Sequence, residues 1–133
     1  MLTDECHATD FSVVSRMLDA IEQGDTDTLR GCFAAGALAW HNSDELEQDV
    51  ETVVAIIGHL CAVSTSRVYE DRRVTTVGSQ AFIQHTLTAS LHSGTQLRMP
   101  AMMRIVVNHD GLVERIEEYL DSRDVDCLGE ETA

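Results

Sequence analysis

A chain of 133 residues with 44% apolar content and a single proline is too apolar to stay disordered and long enough to bury one core. One domain is expected, spanning residues 1–133, with its folded core between about 10 and 123. Nine basic residues against 23 acidic ones leave a formal charge of -14, which repels phosphates and anionic lipids and so excludes nucleic acid and membrane as partners.

The opening "MLTDECHATD" is acidic and has no apolar run of signal-peptide length, and no segment reaches the roughly 20 apolar residues of a membrane helix. A soluble, cytoplasmic protein is the expectation. "TDFSVVSRMLDAIEQGD" then carries Phe11, Val14, Met17, Leu18 and Ile21 at helical spacing, with Thr9 or Asp10 as cap and Gly24 as stop. A second helix is read in "DTLRGCFAAG", capped by Asp27, stopped by Gly36, with Leu29, Cys32 and Phe33 inward. "ALAWHN" reads as a short strand. "SDELEQ" suits a helix start, and "DVETVVAIIGHLCAVS" supplies the third helix through Val50, Val53, Val54, Ile57, Leu60 and Cys61.

From residue 66 the period changes to 2, with strands at Ser66–Val77, Ala81–Leu91, Thr95–Val107 and Leu112–Asp121, parted by "GSQ", "HSG" and "NHDG". Ala81, Ile83, Leu87, Ala89 and Leu91 share one face with His85, and Leu97, Met99, Ala101, Met103, Ile105 and Val107 form another apolar face. Three N-terminal helices followed by a meander predict an α+β fold, the helices packed on one face of a strongly curved, mainly antiparallel sheet.

Two ionisable groups fall on faces that should turn toward the helices. His85 stands between Ile83 and Leu87, and Glu118 between Ile116 and Leu120 in "RIEEYLD". An ionised carboxylate is much harder to bury than an imidazole. Glu118 therefore either pairs with an arginine or a helix terminus, or it faces a pocket that uses its charge. In "AWHN", alternation puts Trp40 and Asn42 on one face and His41 on the other; so short a strand leaves open which is inner. His7, His59, His92 and His109 show no ligand spacing, and Cys6, Cys32, Cys61 and Cys127 form no CxxC pair. No metal and no cofactor are expected, and Cys32 and Cys61 read as inert core thiols. "DELEQD" and "GEET" read as solvated surface.

The order of elements, together with "AIEQGDTDTLRGCFA", "WHN", "NHDGLVERI" and "IEEYLD", resembles the SnoaL-like polyketide cyclases of the nuclear transport factor 2-like superfamily, which includes ketosteroid isomerases and limonene epoxide hydrolases. The resemblance covers roughly residues 10–123. It implies a cone-shaped α+β barrel, open where helices and sheet part, and a homodimer through the outer sheet face. The steroid isomerase's base falls at His41 or Asn42, and its hydrogen-bond donors at Met17 and Met103, which cannot donate. Against the epoxide hydrolases, Asn42 is retained, Trp40 replaces a tyrosine, Glu118 stands at one aspartate position, His85 replaces the arginine and Leu87 the other aspartate. The cyclases' aspartate near the end of the last strand corresponds to Asp121, whose parity points outward unless a bulge re-aims it.

Together these readings predict an apolar pocket for a small cyclic, polyketide-like or isoprenoid-like molecule. His85 and Glu118 are its acid–base pair, with Asn42 positioning water and His41 and Asp121 as further catalytic candidates. Trp40, Met17, Leu87, Met99, Met103, Ile116 and Leu120 are its substrate-binding wall. The alternative is a non-catalytic ligand-binding or dimeric interaction domain of the same fold.

Overall fold

The computed structural model describes residues 8–130, and side chains up to residue 128; Cys6, His7 and the last two residues of "GEET" lie outside them. Helix α1 (Ser12–Gln23) begins where the Asp10 carboxylate accepts from the Ser12 N–H at 2.9 Å. It ends at Gly24, whose φ of 73° is the left-handed conformation that glycine adopts without a Cβ penalty. Val13, Val14, Met17, Leu18, Ala20 and Ile21 are buried along one stripe. The last turn carries no basic residue of its own. Arg67 supplies the cation from a distant strand, donating to the carbonyls of Ile21 and Glu22, each at 3.1 Å.

Helix α2 (Thr26–Gly31) is shorter than the sequence predicts. Asp25, not Asp27, is its cap, accepting from both the backbone and the hydroxyl of Thr28. Gly36 does not stop it, because the chain has already entered β1 (Phe33–His41), where the Cys32 carbonyl accepts from the Val113 N–H at 2.9 Å. Gly36, with φ 76°, sits in the β1 irregularity between Phe33 and Leu38. The "SDELEQ" segment is a turn followed by the short β2 (Glu47–Asp49), and α3 (Val50–Val63) starts only after Asp49 caps the Thr52 N–H at 2.9 Å.

Strands β3 (Ser64–Val77), β4 (Gln80–Leu91), β5 (Gln96–Val107) and β6 (Val113–Leu120) form the meander. The six strands order as β2-β1-β6-β5-β4-β3, antiparallel except where β1 runs parallel to β6. This is the expected α+β architecture, with a crossover strand that the meander alone does not announce. A register shift between Val106 and Val107 turns Val113 inward and fully buried, so it does not belong to the outer face that simple alternation assigns it. A further irregularity at Glu70–Arg73, where Asp71 has φ 57°, interrupts the pairing of the edge strand β3. Glu22 of α1 covers that edge, accepting from the Tyr69 N–H at 2.7 Å and pairing with Arg72 at 3.0 Å. The described residues end with a 3₁₀ turn (Ser122–Val125) and α4 (Asp126–Glu130).

Candidate functional site

The inner face of the sheet changes character along β6. Val113 is 0% exposed and Ile116 6%; the Glu118 side chain retains 13%, and Leu120 is half-buried. Glu118 therefore marks the point where sealed core gives way to a cavity of about 610 Å³. The cavity is walled by Ile56, Ile57 and Leu60 of α3, Leu87, Met99 and Leu120 of the sheet, and Val125 and Leu128 of the closing segment. His59 holds that segment, its Nε2 lying 3.3 Å from the Leu128 carbonyl oxygen. A larger hollow, about 740 Å³, lies among the β3–β4 and β5–β6 turns and contains none of the candidate residues.

Register brings the polar groups together. His41 pairs with Glu118 between β1 and β6, and its Nε2 lies 3.2 Å from Glu118 Oε1. His85 stands opposite Ala101, and Glu118 opposite Met103, so β5 runs between them. Reaching diagonally over that strand, His85 Nε2 comes within 3.7 Å of Glu118 Oε2. Each carboxylate oxygen thus faces one histidine. Among the described residues, no arginine clamps Glu118.

The two histidines differ in surroundings. The hydrogen bond that His41 donates to the Glu118 carboxylate raises the pKa of His41 above its ordinary value against the opposing cost of burial, with the charges of Glu118 and Asp44 adding to the rise. Burial lowers the pKa of His85; Glu118 opposes this and the Arg72 guanidinium reinforces it. His85 is shut off from solvent, with neither ring nitrogen hydrogen-bonded, and its ring packs edge-on to Tyr69 at a centroid distance of 5.0 Å. It lies behind the cavity wall, which His41, Tyr69 and Glu118 line directly. Burial, then the Glu118 charge, holds the Tyr69 phenol far above its usual pKa, so it stays protonated.

Of the remaining candidates, Leu87, Met99 and Leu120 line the cavity, while Met17, Met103 and Ile116 are buried in the core away from it. Trp40 is on the outer face, edge-on to Tyr119 at 5.5 Å, and so is no part of the wall. Asn42 is not free to position water: its amide nitrogen donates to the Leu120 carbonyl at 3.1 Å and its amide oxygen accepts from the Leu120 N–H at 2.9 Å, prolonging the β1–β6 ladder. Asp121 caps the 3₁₀ turn and pairs with Arg123 outside the cavity; those hydrogen bonds hold its pKa down at about 2. Tyr69, His59 and Gln48 are cavity residues that the sequence did not single out. The only signal for Tyr69 was its place in a strand whose inward parity depends on pairing with Leu87. Among the described residues, no three His, Cys, Asp or Glu side chains converge as a metal site.

A family model for the SnoaL-like domain matches residues 14–116. Among solved structures, the BvnE pinacolase of Penicillium brevicompactum superposes with a TM-score of 0.78 at 11% identity, over 92% of this chain and 89% of that one. PrhC of Penicillium brasilianum gives 0.75 at 12% identity, over 90% and 85%. An LEH-like epoxide hydrolase of M. tuberculosis gives 0.71 at 13%, over 89% and 86%. At these identities the likeness is one of fold. No curated protein matches the chain.

Proposed function

We propose, from the premise that the chain belongs to the SnoaL-like domain family, that it moves protons on a small, apolar, carbonyl-bearing molecule of cyclic, polyketide-like or isoprenoid-like type. The observation that carries this reading is the His41–Glu118 contact of 3.2 Å on the wall of an otherwise largely apolar cavity. Glu118 is the base, taking a proton from the carbon next to the carbonyl. His41, whose affinity for a proton is enhanced, is the acid that protonates the oxygen. His85 does not touch the ligand in this scheme. It stands behind the second carboxylate oxygen and orients Glu118.

A panel of enolisable cyclic ketones stands in for the natural substrate. Each is incubated with the protein in deuterated water, and exchange at the α-carbon is followed by NMR. Acceleration by the wild type, lost in Glu118→Gln, supports the reading. Tight binding without acceleration of exchange on any ketone would instead assign a non-catalytic binding domain.

Assembly belongs to the same proposal. On the outer sheet face Met102 pairs directly with Tyr119, and Trp40 packs on Tyr119. Phe82 and Val106 are half-buried beside them. Through this face runs a chain of ion pairs, Arg104 to Glu117 between the Met102–Tyr119 and Val106–Arg115 positions, then Glu117 to Arg115, and Arg115 to Glu47. Such a patch, apolar with charges of both signs, suits a second copy of the chain across a two-fold axis.

A further inference from the structure

Three contacts fix Tyr69 in place, and none of them involves its hydroxyl. The ring packs edge-on to His85 at 5.0 Å, the Arg72 guanidinium lies 5.9 Å from the ring centroid, and the Tyr69 N–H donates to Glu22 at 2.7 Å. Arg72 is itself tied to Asp19 and Glu22 of α1, each at 3.0 Å. Tyr69 is only 8% exposed, and it lines the cavity. Among the described residues, no protein group accepts the proton of its hydroxyl. Yet this oxygen is not among the unpartnered side-chain atoms sealed from solvent, which are Gln48 Oε1 and the two ring nitrogens of His85. The hydroxyl therefore opens on the cavity. A buried O–H without an acceptor has given up hydration and gained nothing, a state native proteins rarely keep unless something else supplies the bond.

The place of Tyr69 in the sheet sets what it can touch. Across the inner face the order is Tyr69 on β3, His85 on β4, Glu118 on β6 and His41 on β1, so His85 and Glu118 stand between Tyr69 and His41. Tyr69 also stands apart from Met17 and Met103, where the steroid isomerase's donors fall and which are core residues here. We infer that Tyr69 is a specificity-determining residue whose hydroxyl donates a hydrogen bond to a second oxygen of the ligand, on the far side of Glu118 from the oxygen that His41 protonates. Burial and the charge of Glu118 keep the phenol protonated, so its proton is always there to be donated. Among the described residues, no arginine lines the cavity, while Asp44 and Glu118 do, so a carboxylate or phosphate finds no counter-charge other than His41 and His59. The occupant is an uncharged ring ketone with a further oxygen acceptor. This inference rests on the cavity being the ligand site, as proposed above, and adds the second polar group that the ligand must carry.

The experiment compares the binding of α-tetralone with that of isochroman-4-one and chroman-4-one, in which oxygen replaces a ring methylene one or two bonds from the enolisable carbon. The proteins are the wild type and Tyr69→Phe, which keeps the ring and removes only the hydroxyl. The wild type binds at least one of the two oxygen-bearing ketones about fivefold or more tightly than α-tetralone, the discrimination one hydrogen bond provides. Tyr69→Phe loses most of that preference and still binds α-tetralone, which certifies an intact cavity. The ligand-free variant melts at the wild-type temperature, because the hydroxyl makes no bond within the protein. A wild type that binds all three ketones alike overturns the assignment of Tyr69 alone. A preference that survives in Tyr69→Phe overturns it too, since another group would then be reading the oxygen. A lower melting temperature does the same by revealing a structural partner for the hydroxyl. A wild type that binds none of the three overturns this inference together with the cavity reading.

Discussion

Glu118 and His85 approach to 3.7 Å although β5 runs between their strands, in a diagonal contact across Ala101, which faces His85, and Met103, which faces Glu118. The same carboxylate reaches His41 on the adjacent strand at 3.2 Å. One carboxylate thus joins a histidine that faces the cavity to one that does not, and most of the expected behaviour of the site follows from that asymmetry.

Replacing Glu118 with Gln keeps the shape and hydrogen-bonding capacity and removes the charge. The pKa of His41 is then expected to fall back toward its ordinary 6.5, read as a lower midpoint in an imidazole NMR titration. Proton transfer to a ligand is abolished. Stability stays within about 1 kcal/mol in a denaturant titration, because a pair that keeps some solvent contact is worth little net. A loss above about 3 kcal/mol is the signature of a buried structural pair and would refute the functional role.

Stability should pass through a maximum near the ordinary histidine pKa of 6.5, because the two histidines act with opposite sign. His41 binds its proton more tightly when folded, so its contribution is full below 6.5 and is lost as pH rises through its raised folded value. His85 binds its proton less tightly when folded, so its contribution is full above 6.5 and declines as pH falls toward its depressed value. Thermal melts across this range should show His41→Gln flattening the alkaline limb and His85→Phe the acid limb. The reverse assignment would contradict the geometry.

Asp121→Asn is expected to leave ketone exchange unchanged, in contrast to Glu118→Gln. Its carboxylate caps the closing 3₁₀ turn and pairs with Arg123 outside the cavity. An exchange rate reduced tenfold or more in a variant that folds and binds normally would return Asp121 to the catalytic machinery.

Met102→Glu, on the outer face opposite Tyr119, should convert a dimer into a monomer without altering ligand affinity. Light scattering at micromolar concentration reads both states. A wild type that is already monomeric removes the dimer proposal and leaves the site untouched.

The sequence by itself determined the helical stripe of Val14, Met17, Leu18 and Ile21, the α+β class, the meander, and the placement of His85 and Glu118 on an inward face. These are consequences of local periodicity, which any backbone of that type must obey. Only tertiary structure decided the rest. Whether His41 or Asn42 turns inward depends on how β1 docks beside β6, a parallel pairing between residues far apart in the chain. Bulges at Gly36 and before Arg115 shift the inside–outside count by one, which moved Val113 from the outer face to the core. Asn42, Trp40 and Asp121 carry side chains fit for a site, but strand pairing, ring packing and a helix cap claimed them. Gln48 and Tyr69 line the cavity from the two edge strands, β2 and β3, whose places in the sheet are set by pairing between distant segments that no single strand encodes.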